Sequence, residues 1–121
     1  MPIQRRTLLA GLSAAFAAQA APATLRLPRK IRVAFIGTDG HTGEVTSALP
    51  HLPDVEIAAV HDTPQRGPGF ARRYPNAKAF SGDYRAMLDE TKPDVAAVCN
   101  VISEHAGAIL ECLERGIHVI A

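Results

Sequence analysis

Three glycines follow an apolar run near the start of the chain, and their spacing suits the binding of a phosphate group. The run Val33–Ile36 ends at Gly37, and Gly40 and Gly43 follow at intervals of three residues. Glycines remove side-chain bulk and permit positive φ angles, so the backbone can approach an anion closely. The amides at the start of a following helix can then donate hydrogen bonds to that anion. Because the spacing is G-x-x-G-x-x-G rather than G-x-G-x-x-G, the loop alone does not identify a dinucleotide site.

A carboxylate stands at the distance from this loop that a dinucleotide site requires. The apolar, β-branched run 55–60 predicts a buried strand, and it is followed by His61 and Asp62. Asp62 lies 19 residues after Gly43, where a Rossmann unit places an acid that accepts hydrogen bonds from the adenosine ribose. The alternative interpretation is that Asp62 begins a turn ahead of Pro64.

The histidines and the serine that could do other chemistry lack the partners it needs. The five histidines, at 41, 51, 61, 105 and 118, show no metal-ligand spacing such as two histidines four residues apart on a helix. We therefore expect no metal site. Ser103 has no histidine and acid arranged around it, which argues against a hydrolase nucleophile. His41 lies in the glycine loop, where it could meet a phosphate or simply be exposed at the start of a helix.

Apolar runs and helical patterns alternate from residue 31 onward, which predicts alternating strands and helices. We expect strands at 31–36, 55–60, 79–80, 95–100 and 118–121. Three helices are expected. The first spans 41–49 and is ended by Pro50, and the second follows an N-cap at Asp83. The third runs from an N-cap at Ser103 to a C′ glycine at Gly116. Residues 63–78 are predicted to be irregular because two glycines and a proline, at 67–69, interrupt the helical pattern.

The predicted strands are uniformly apolar, which is typical of a parallel sheet covered by helices on both faces. The fold class is therefore α/β, a Rossmann-type doubly wound parallel sheet of about five strands with right-handed crossovers. The longest helix is expected to pack through a stripe formed by Ala106, Ile109, Leu110 and Leu113.

Composition fits one small globular domain. The chain has 121 residues, of which 47% are hydrophobic and 21% charged, as in ordinary globular proteins. A formal net charge of +1 gives no basis for nucleic-acid binding. Cys99 and Cys112 fall in a predicted strand and a predicted helix, so we expect buried free thiols; the alternative is a disulfide, for which no framework of spacings is visible.

The first twenty residues have the pattern of a targeting signal. Arg5 and Arg6 precede an alanine- and leucine-rich stretch, and Ala18 and Ala20 suit signal-peptidase cleavage. Adjacent arginines before a weakly hydrophobic core resemble a twin-arginine signal; the alternative is an ordinary secretory signal. The apolar core is too short for a stable membrane anchor. We therefore expect export to the periplasm or another extracytoplasmic space, with a linker at residues 21–30 and the folded domain at 31–121.

The C-terminal third carries a combination of motifs in unbroken register. It contains Ser81-Gly-Asp-Tyr-Arg-Ala-Met-Leu88, Lys92-Pro-Asp-Val-Ala-Ala-Val98, His105, and thirteen residues later the histidine of Gly116-Ile-His-Val119. With the glycine loop, residues 29–121 resemble the NAD(P)-binding domain of the Gfo/Idh/MocA oxidoreductases. The resemblance implies NAD or NADP as cofactor, with NAD preferred.

The resemblance also implies roles for single residues. The glycines would shape the phosphate loop, with the amides of Asp39, His41 and Thr42 near the pyrophosphate. Asp62 would hold the adenosine ribose, while Arg66 would cover the adenine or meet a 2′-phosphate. Asn100 and Val101 would line the ribose on the nicotinamide side. The full set of expected cofactor-binding residues is Gly37, Thr38, Asp39, Gly40, His41, Thr42, Gly43, Asp62, Arg66, Asn100, Val101 and His105.

The sequence departs from the family pattern in three places. Asn100-Val101 stands where the family has Thr-Pro, and Ile117 replaces a lysine. The chain ends before the family's Glu-Lys-Pro motif and substrate domain, so we expect a fragment that is inactive alone and contains no catalytic residue. The full-length protein would be an oxidoreductase acting on a sugar or polyol, as a homo-oligomer. The alternatives are an NAD-dependent glycoside hydrolase of the same superfamily or a non-catalytic nucleotide-binding module.

Overall fold

Five parallel strands form one sheet in the computed structural model, which describes residues 24–121. The sheet order is β3-β2-β1-β4-β5, and every pairing is parallel. The strands are β1 Ile31–Ile36, β2 Val55–His61, β3 Lys78–Phe80, β4 Val95–Val98 and β5 His118–Ile120. The helices are α1 Thr42–Thr46, α2 Gly67–Ala71, α3 Tyr84–Thr91 and α4 Ile102–Glu114, with a 3-10 turn at Leu49–His51. The predicted Rossmann-type α/β fold is confirmed.

The sheet separates two hydrophobic cores. Successive residues of a strand point to opposite faces, so Phe35 belongs to one core and Ile36 to the other. Phe35 packs edge-on against Phe70 of α2, with ring centroids 5.2 Å apart. Cys99 and Cys112 belong to different cores and are both free and buried, as expected.

Two of the expected helix ends are confirmed by their hydrogen bonds. The Asp83 carboxylate caps α3 by accepting from the amide of Arg85 at 2.9 Å. Gly116 follows α4 with φ 69°, and its amide donates to the carbonyl of Leu113 at 3.0 Å. The amide of Ile117 donates to the carbonyl of Cys112 at 3.0 Å, which completes a Schellman motif.

The segment between β1 and β3 differs from its prediction in two places. The predicted helix 41–49 is shorter, since α1 ends at Thr46, and Pro50 lies inside the 3-10 turn that follows instead of ending the helix. Residues 67–71 were expected to be irregular but form α2. Pro68 stands in the first turn of α2, where a proline is favoured because its missing N–H would have no partner there anyway.

Helix α4 packs through a different face from the one predicted. It begins at Ile102, with Val101 rather than Ser103 at the N-cap. Ala108 and Cys112 are buried against the sheet, whereas Leu110 and Leu113 are 60% and 56% exposed. Of the expected stripe, Ile109 does pack against the core, whereas Ala106, Leu110 and Leu113 are exposed. The small side chains of Ala108 and Cys112 let the helix approach the sheet closely, and the two leucines are left outside.

The residues before β1 are mostly exposed but are held to the domain by hydrogen bonds. The amide of Leu27 donates to Asp54 Oδ2 at 2.9 Å, and Arg29 Nη2 donates to Asp94 Oδ1 at 2.9 Å. Residues 1–20, where the targeting signal is predicted, lie outside the described residues. Across 24–121, no helix is both long enough and apolar enough to cross a membrane.

Candidate functional site

The loops that follow β1, β2 and β4 meet at one edge of the sheet. The chain runs from β1 outward to β2 and β3, and then returns past β1 to β4 and β5. Ligands of open α/β sheets bind at the carboxyl ends of the strands where the strand order reverses in this way. All the expected cofactor-binding residues lie on these loops or at the start of the helices that follow them, so the fold gathers them at one place.

Gly37 lets the loop after β1 pack closely against Asn100, which lies just beyond the end of β4. Its φ is +77°, and a Cβ at this position would lie 2.5 Å from Cα of Asn100. Its amide donates to the carbonyl of His61 at 2.7 Å. The glycine is therefore required by the protein itself. A Cβ on Gly40 or Gly43 would meet nothing within 4 Å, so the absence of their side chains leaves open space.

The backbone after Gly37 is fixed by the carbonyl of Cys99. That oxygen accepts from the amide of Asp39 at 2.9 Å and from the amide of Gly40 at 3.3 Å. The Asp39 amide is thus engaged within the protein, and its place near a pyrophosphate stays a prediction. His41 has φ 61° at the N-cap of α1, and its exposed ring lies 3.1 Å from Glu44 Oε1 through Nδ1.

Asp62 lies just beyond the end of β2, with its side chain only 6% exposed. Its Oδ1 accepts from the amide of Thr63 at 2.6 Å, and its Oδ2 accepts from the Thr38 hydroxyl. Arg66 Nε lies 3.8 Å from Oδ2. Burial alone would raise the pKa of Asp62, but the two hydrogen bonds and the Arg66 charge outweigh it and lower the pKa below its ordinary value. The carboxyl group is therefore ionised at neutral pH.

Arg66 joins the turn after β2 to the loop after β1. Its Nη1 donates to Asp39 Oδ1 at 2.7 Å, and its Nη2 donates to Thr38 Oγ1 at 3.2 Å. We call Thr38, Asp39, Asp62 and Arg66 the Arg66 network. Sequence reasoning missed both the Asp39–Arg66 ion pair and the role of the Thr38 hydroxyl, because the partners are more than twenty residues apart and meet only when β1 and β2 pair.

Asn100 brings an unsatisfied acceptor to the same edge. Its Oδ1 is buried and has no hydrogen-bond partner among the described residues, an arrangement that folded proteins seldom leave without a ligand or water. The carbonyl of Asn100 lies 2.8 Å from Nε2 of His105, which holds the start of α4 to the end of β4. Val101 is 46% exposed beside it.

An apolar cleft of about 440 Å³ lies on the β4–β5 side of the glycine loop. Its lining consists of His41, Glu44, Val45, Val98, Cys99, Ile102, His105, Ile120 and Ala121. Burial raises the pKa of the Cys99 thiol to about 11, so the thiol is protonated at neutral pH and is not a nucleophile.

Within residues 24–121 no group of three or more His, Cys, Asp or Glu side chains could hold a metal ion. The sheet edge instead brings together the ionised carboxylate of Asp62, the guanidinium of Arg66, the unpaired amide oxygen of Asn100 and an apolar cleft, around the glycine loop. Such a set suits a ligand that has both polar and apolar parts.

A family model matches the whole predicted domain. The Gfo/Idh/MocA model, described as an oxidoreductase family with an NAD-binding Rossmann fold, matches residues 31–121. A search of the curated proteins found no match.

Two solved structures share the fold. A dipicolinate-bound dihydrodipicolinate reductase from Paenisporosarcina sp. TG-14 superposes with a TM-score of 0.57 at 20% identity, over 74% of this chain and 36% of that one. An NAD-binding oxidoreductase from Klebsiella pneumoniae superposes with a TM-score of 0.52 at 22% identity, over 74% of this chain and 26% of that one. The chain thus spans about a third or less of the length of these structures.

Proposed function

Because the chain belongs to the Gfo/Idh/MocA oxidoreductase family and carries its NAD-binding Rossmann domain at residues 31–121, we propose that this domain binds a nicotinamide dinucleotide across the glycine loop. We further propose that the full-length protein is an NAD(P)-dependent oxidoreductase that moves a hydride to or from a sugar or polyol, acting as a homo-oligomer. The bound nicotinamide would supply the hydride chemistry. The residues described above bind, orient and shield it.

The observation that carries the proposal is the orphaned amide oxygen of Asn100. This oxygen is buried and unpaired among the described residues, and it stands beside Gly37, where even a Cβ would not fit. A dinucleotide carries ribose hydroxyl and carboxamide N–H donors that this acceptor can take up. Leaving a buried acceptor unpaired costs about 1–3 kcal/mol, so a ligand that satisfies it gains that amount in affinity.

The β1–β2 side suits the adenosine end of the ligand. Asp62 is ionised, and each carboxylate oxygen can accept more than one hydrogen bond, so ribose hydroxyls can donate to it in addition to its protein partners. Its negative charge also repels a 2′-phosphate, which supports our preference for NAD over NADP. The apolar cleft on the other side suits the flat nicotinamide ring and excludes water from it.

The test compares two asparagine variants of the 121-residue chain. Asn100→Leu removes the orphaned oxygen with little change in volume, and we expect NAD affinity to fall about tenfold while the free energy of unfolding stays the same or rises, because a buried unpaired group has been removed. Asn76→Leu is the control, since the Asn76 amide lies on an exposed surface and, within residues 24–121, donates only to Glu56 Oε2 at 3.2 Å. Unchanged NAD affinity in Asn100→Leu would contradict the proposal.

We also propose that the protein is exported by the twin-arginine route. The support is the pattern of residues 1–20, with Arg5 and Arg6 ahead of an alanine-rich core. Replacing both arginines by lysine in the intact precursor is expected to retain the protein in the cytoplasm of a host that has this pathway. Continued appearance of the double variant in the periplasm would show that an ordinary secretory signal is at work.

A further inference from the structure

We infer that Asp39 biases the domain toward NAD by holding Arg66 away from a 2′-phosphate. The inference rests on the proposed function, and it concerns which of the two dinucleotides the site accepts. It follows from a second cleft at the sheet edge and from the way Arg66 is held at the border of that cleft.

The second cleft, which we call the arginine cleft, has the lining of an anion site. Its volume is about 440 Å³, and its walls are Thr38, Thr42, Arg66, Gly69, Phe70 and Arg73. Two arginines and two threonines are among its lining residues, and no residue with a carboxylate is. Arginine is the side chain best suited to grip a phosphate, because its planar fork donates two parallel hydrogen bonds.

Arg73 supplies a positive charge that the described residues do not neutralise. Its guanidinium lies over the ring of Phe70, 5.3 Å from the centroid, and it makes no ion pair with any residue in 24–121. The cation–π attraction to the Phe70 ring holds the group in place without neutralising its charge, as a carboxylate would. Arg73 is therefore available to an anion in the arginine cleft.

Arg66 is committed elsewhere. Its side chain is 46% exposed, and its shortest contact is the 2.7 Å ion pair from Nη1 to Asp39 Oδ1. The Asp39 side chain is 37% exposed and makes no other hydrogen bond or ion pair among the described residues. Asp39 therefore acts on Arg66 alone.

The neighbouring acid is shielded from the same cleft. Asp62 is only 6% exposed, and the hydroxyl of Thr38 covers its Oδ2. An adenosine ribose held by Asp62 would bring a phosphate on its 2′ oxygen toward Arg66, the residue that borders both Asp62 and the arginine cleft. Binding NADP then requires Arg66 to leave Asp39 and requires the phosphate to tolerate the Asp39 charge, whereas binding NAD requires neither.

The experiment compares the affinities of NAD and NADP for the 121-residue chain and its variants by calorimetric titration. In Asp39→Asn we expect NADP to bind about fivefold more tightly, the upper range for the loss of an exposed ion pair, while NAD affinity changes less than about twofold. In Arg66→Gln, NADP binding is expected to weaken about tenfold, since a charge-assisted contact to the phosphate is lost. The double variant should show no gain from Asp39→Asn.

The matched control is Asp89→Asn. Asp89 pairs with Arg115 at the same 2.7 Å distance but lies near the amino ends of β4 and β5. Asp89→Asn therefore changes the net charge as much as Asp39→Asn does, without touching the site. Equal gains for NAD and NADP in Asp39→Asn, a similar gain in Asp89→Asn, or a gain that survives Arg66→Gln would each overturn the inference. Failure of both nucleotides to bind the parent chain would overturn the proposed function, and this inference with it.

Discussion

The two sides of the glycine loop differ in how far their groups are paired and covered by the rest of the domain. On the β1–β2 side, the Arg66 network joins its charged groups to one another, and Asp62 is almost fully covered. On the β4–β5 side, Asn100 Oδ1 is buried without a partner among the described residues, and the apolar cleft leaves Ile102 81% exposed and Ile120 50% exposed. The first side is stabilised by the protein itself, while the second has groups that the described residues leave uncovered.

This difference separates the residues that the fold needs from those that only a ligand needs. Gly37 joins the two sides and is required by close backbone packing, whereas Gly40 and Gly43 have free space around them. The variants below change one side at a time, and each is expected to affect either stability or ligand binding according to the side on which it lies.

The largest effect is expected where the two sides meet. Gly37→Ala places a Cβ 2.5 Å from Cα of Asn100 at a φ of +77°, and we expect it to lower the free energy of unfolding by about 4 kcal/mol, from backbone strain together with overpacking. Urea unfolding measures this loss. Gly43→Ala is the control, since its Cβ would meet nothing within 4 Å, and alanine inside a helix should stabilise by about 0.5–1 kcal/mol. Equal stability of the two variants would show that Gly37 is not a packing residue.

A large effect on reactivity is expected for the thiol beneath the apolar cleft. Burial raises the pKa of Cys99 from 9.0 to about 11, so the thiolate fraction at pH 8 falls roughly a hundredfold. In Cys112→Ser, where Cys99 is the only thiol, alkylation by iodoacetamide should be correspondingly slow and should accelerate as pH rises toward 11. Denatured protein provides the reference rate. Alkylation of the folded variant at that reference rate would contradict the burial of Cys99.

A smaller loss of stability is expected when a hydrogen bond on the β1–β2 side is removed. Thr38→Val removes the hydroxyl that donates to Asp62 Oδ2, and we expect about 1–2 kcal/mol less stability at pH 7. Because the pKa of Asp62 is lowered in the folded protein, its stabilisation is fully present above the unfolded-state value of about 3.9 and is lost as pH falls through the lower folded value. The difference between Thr38→Val and the parent should therefore shrink below about pH 4. A difference that stays constant from pH 7 to pH 3 would assign the effect to packing instead.

The smallest change in stability is expected for an exposed apolar side chain on the β4–β5 side. Ile102→Gln changes a side chain that is 81% exposed, so unfolding free energy should change by less than about 0.5 kcal/mol. Val98→Ala, at a position 1% exposed in the same cleft, should cost about 2 kcal/mol. A cost for Ile102→Gln close to that of Val98→Ala would mean that this part of α4 is covered by a surface outside the described residues.

The sequence predicted the parts of this arrangement that depend on local chemistry. Apolar runs located the strands, and the Asp83 and Gly116 caps are set by the hydrogen-bonding needs of single helix ends. The face of α4 could not be read from periodicity, because Ala108 and Cys112 carry less hydrophobic weight than the exposed Leu110 and Leu113.

The Arg66 network could not be predicted for a different reason. Arg66 lies 27 residues beyond Asp39 in the chain, and no local pattern joins them. The parallel pairing of β1 with β2 brings the ends of both strands together, with Ile36 opposite His61. The burial of Asn100 Oδ1 likewise depends on tertiary structure, because Asn100 packs against Gly37, which lies far away in the sequence.

The most direct test of the account is a nuclear magnetic resonance titration of the isotopically labelled 121-residue chain with millimolar NAD. We expect amide shifts at the glycine loop 37–43, at 62–66 and at 100–105, with the rest of the sheet little changed. We also expect the shifts at 100–105 to be lost in Asn100→Leu at the same NAD concentration. Shifts confined to the opposite edge of the sheet, around Lys92 and His118, or no shifts at the three loops, would contradict the account.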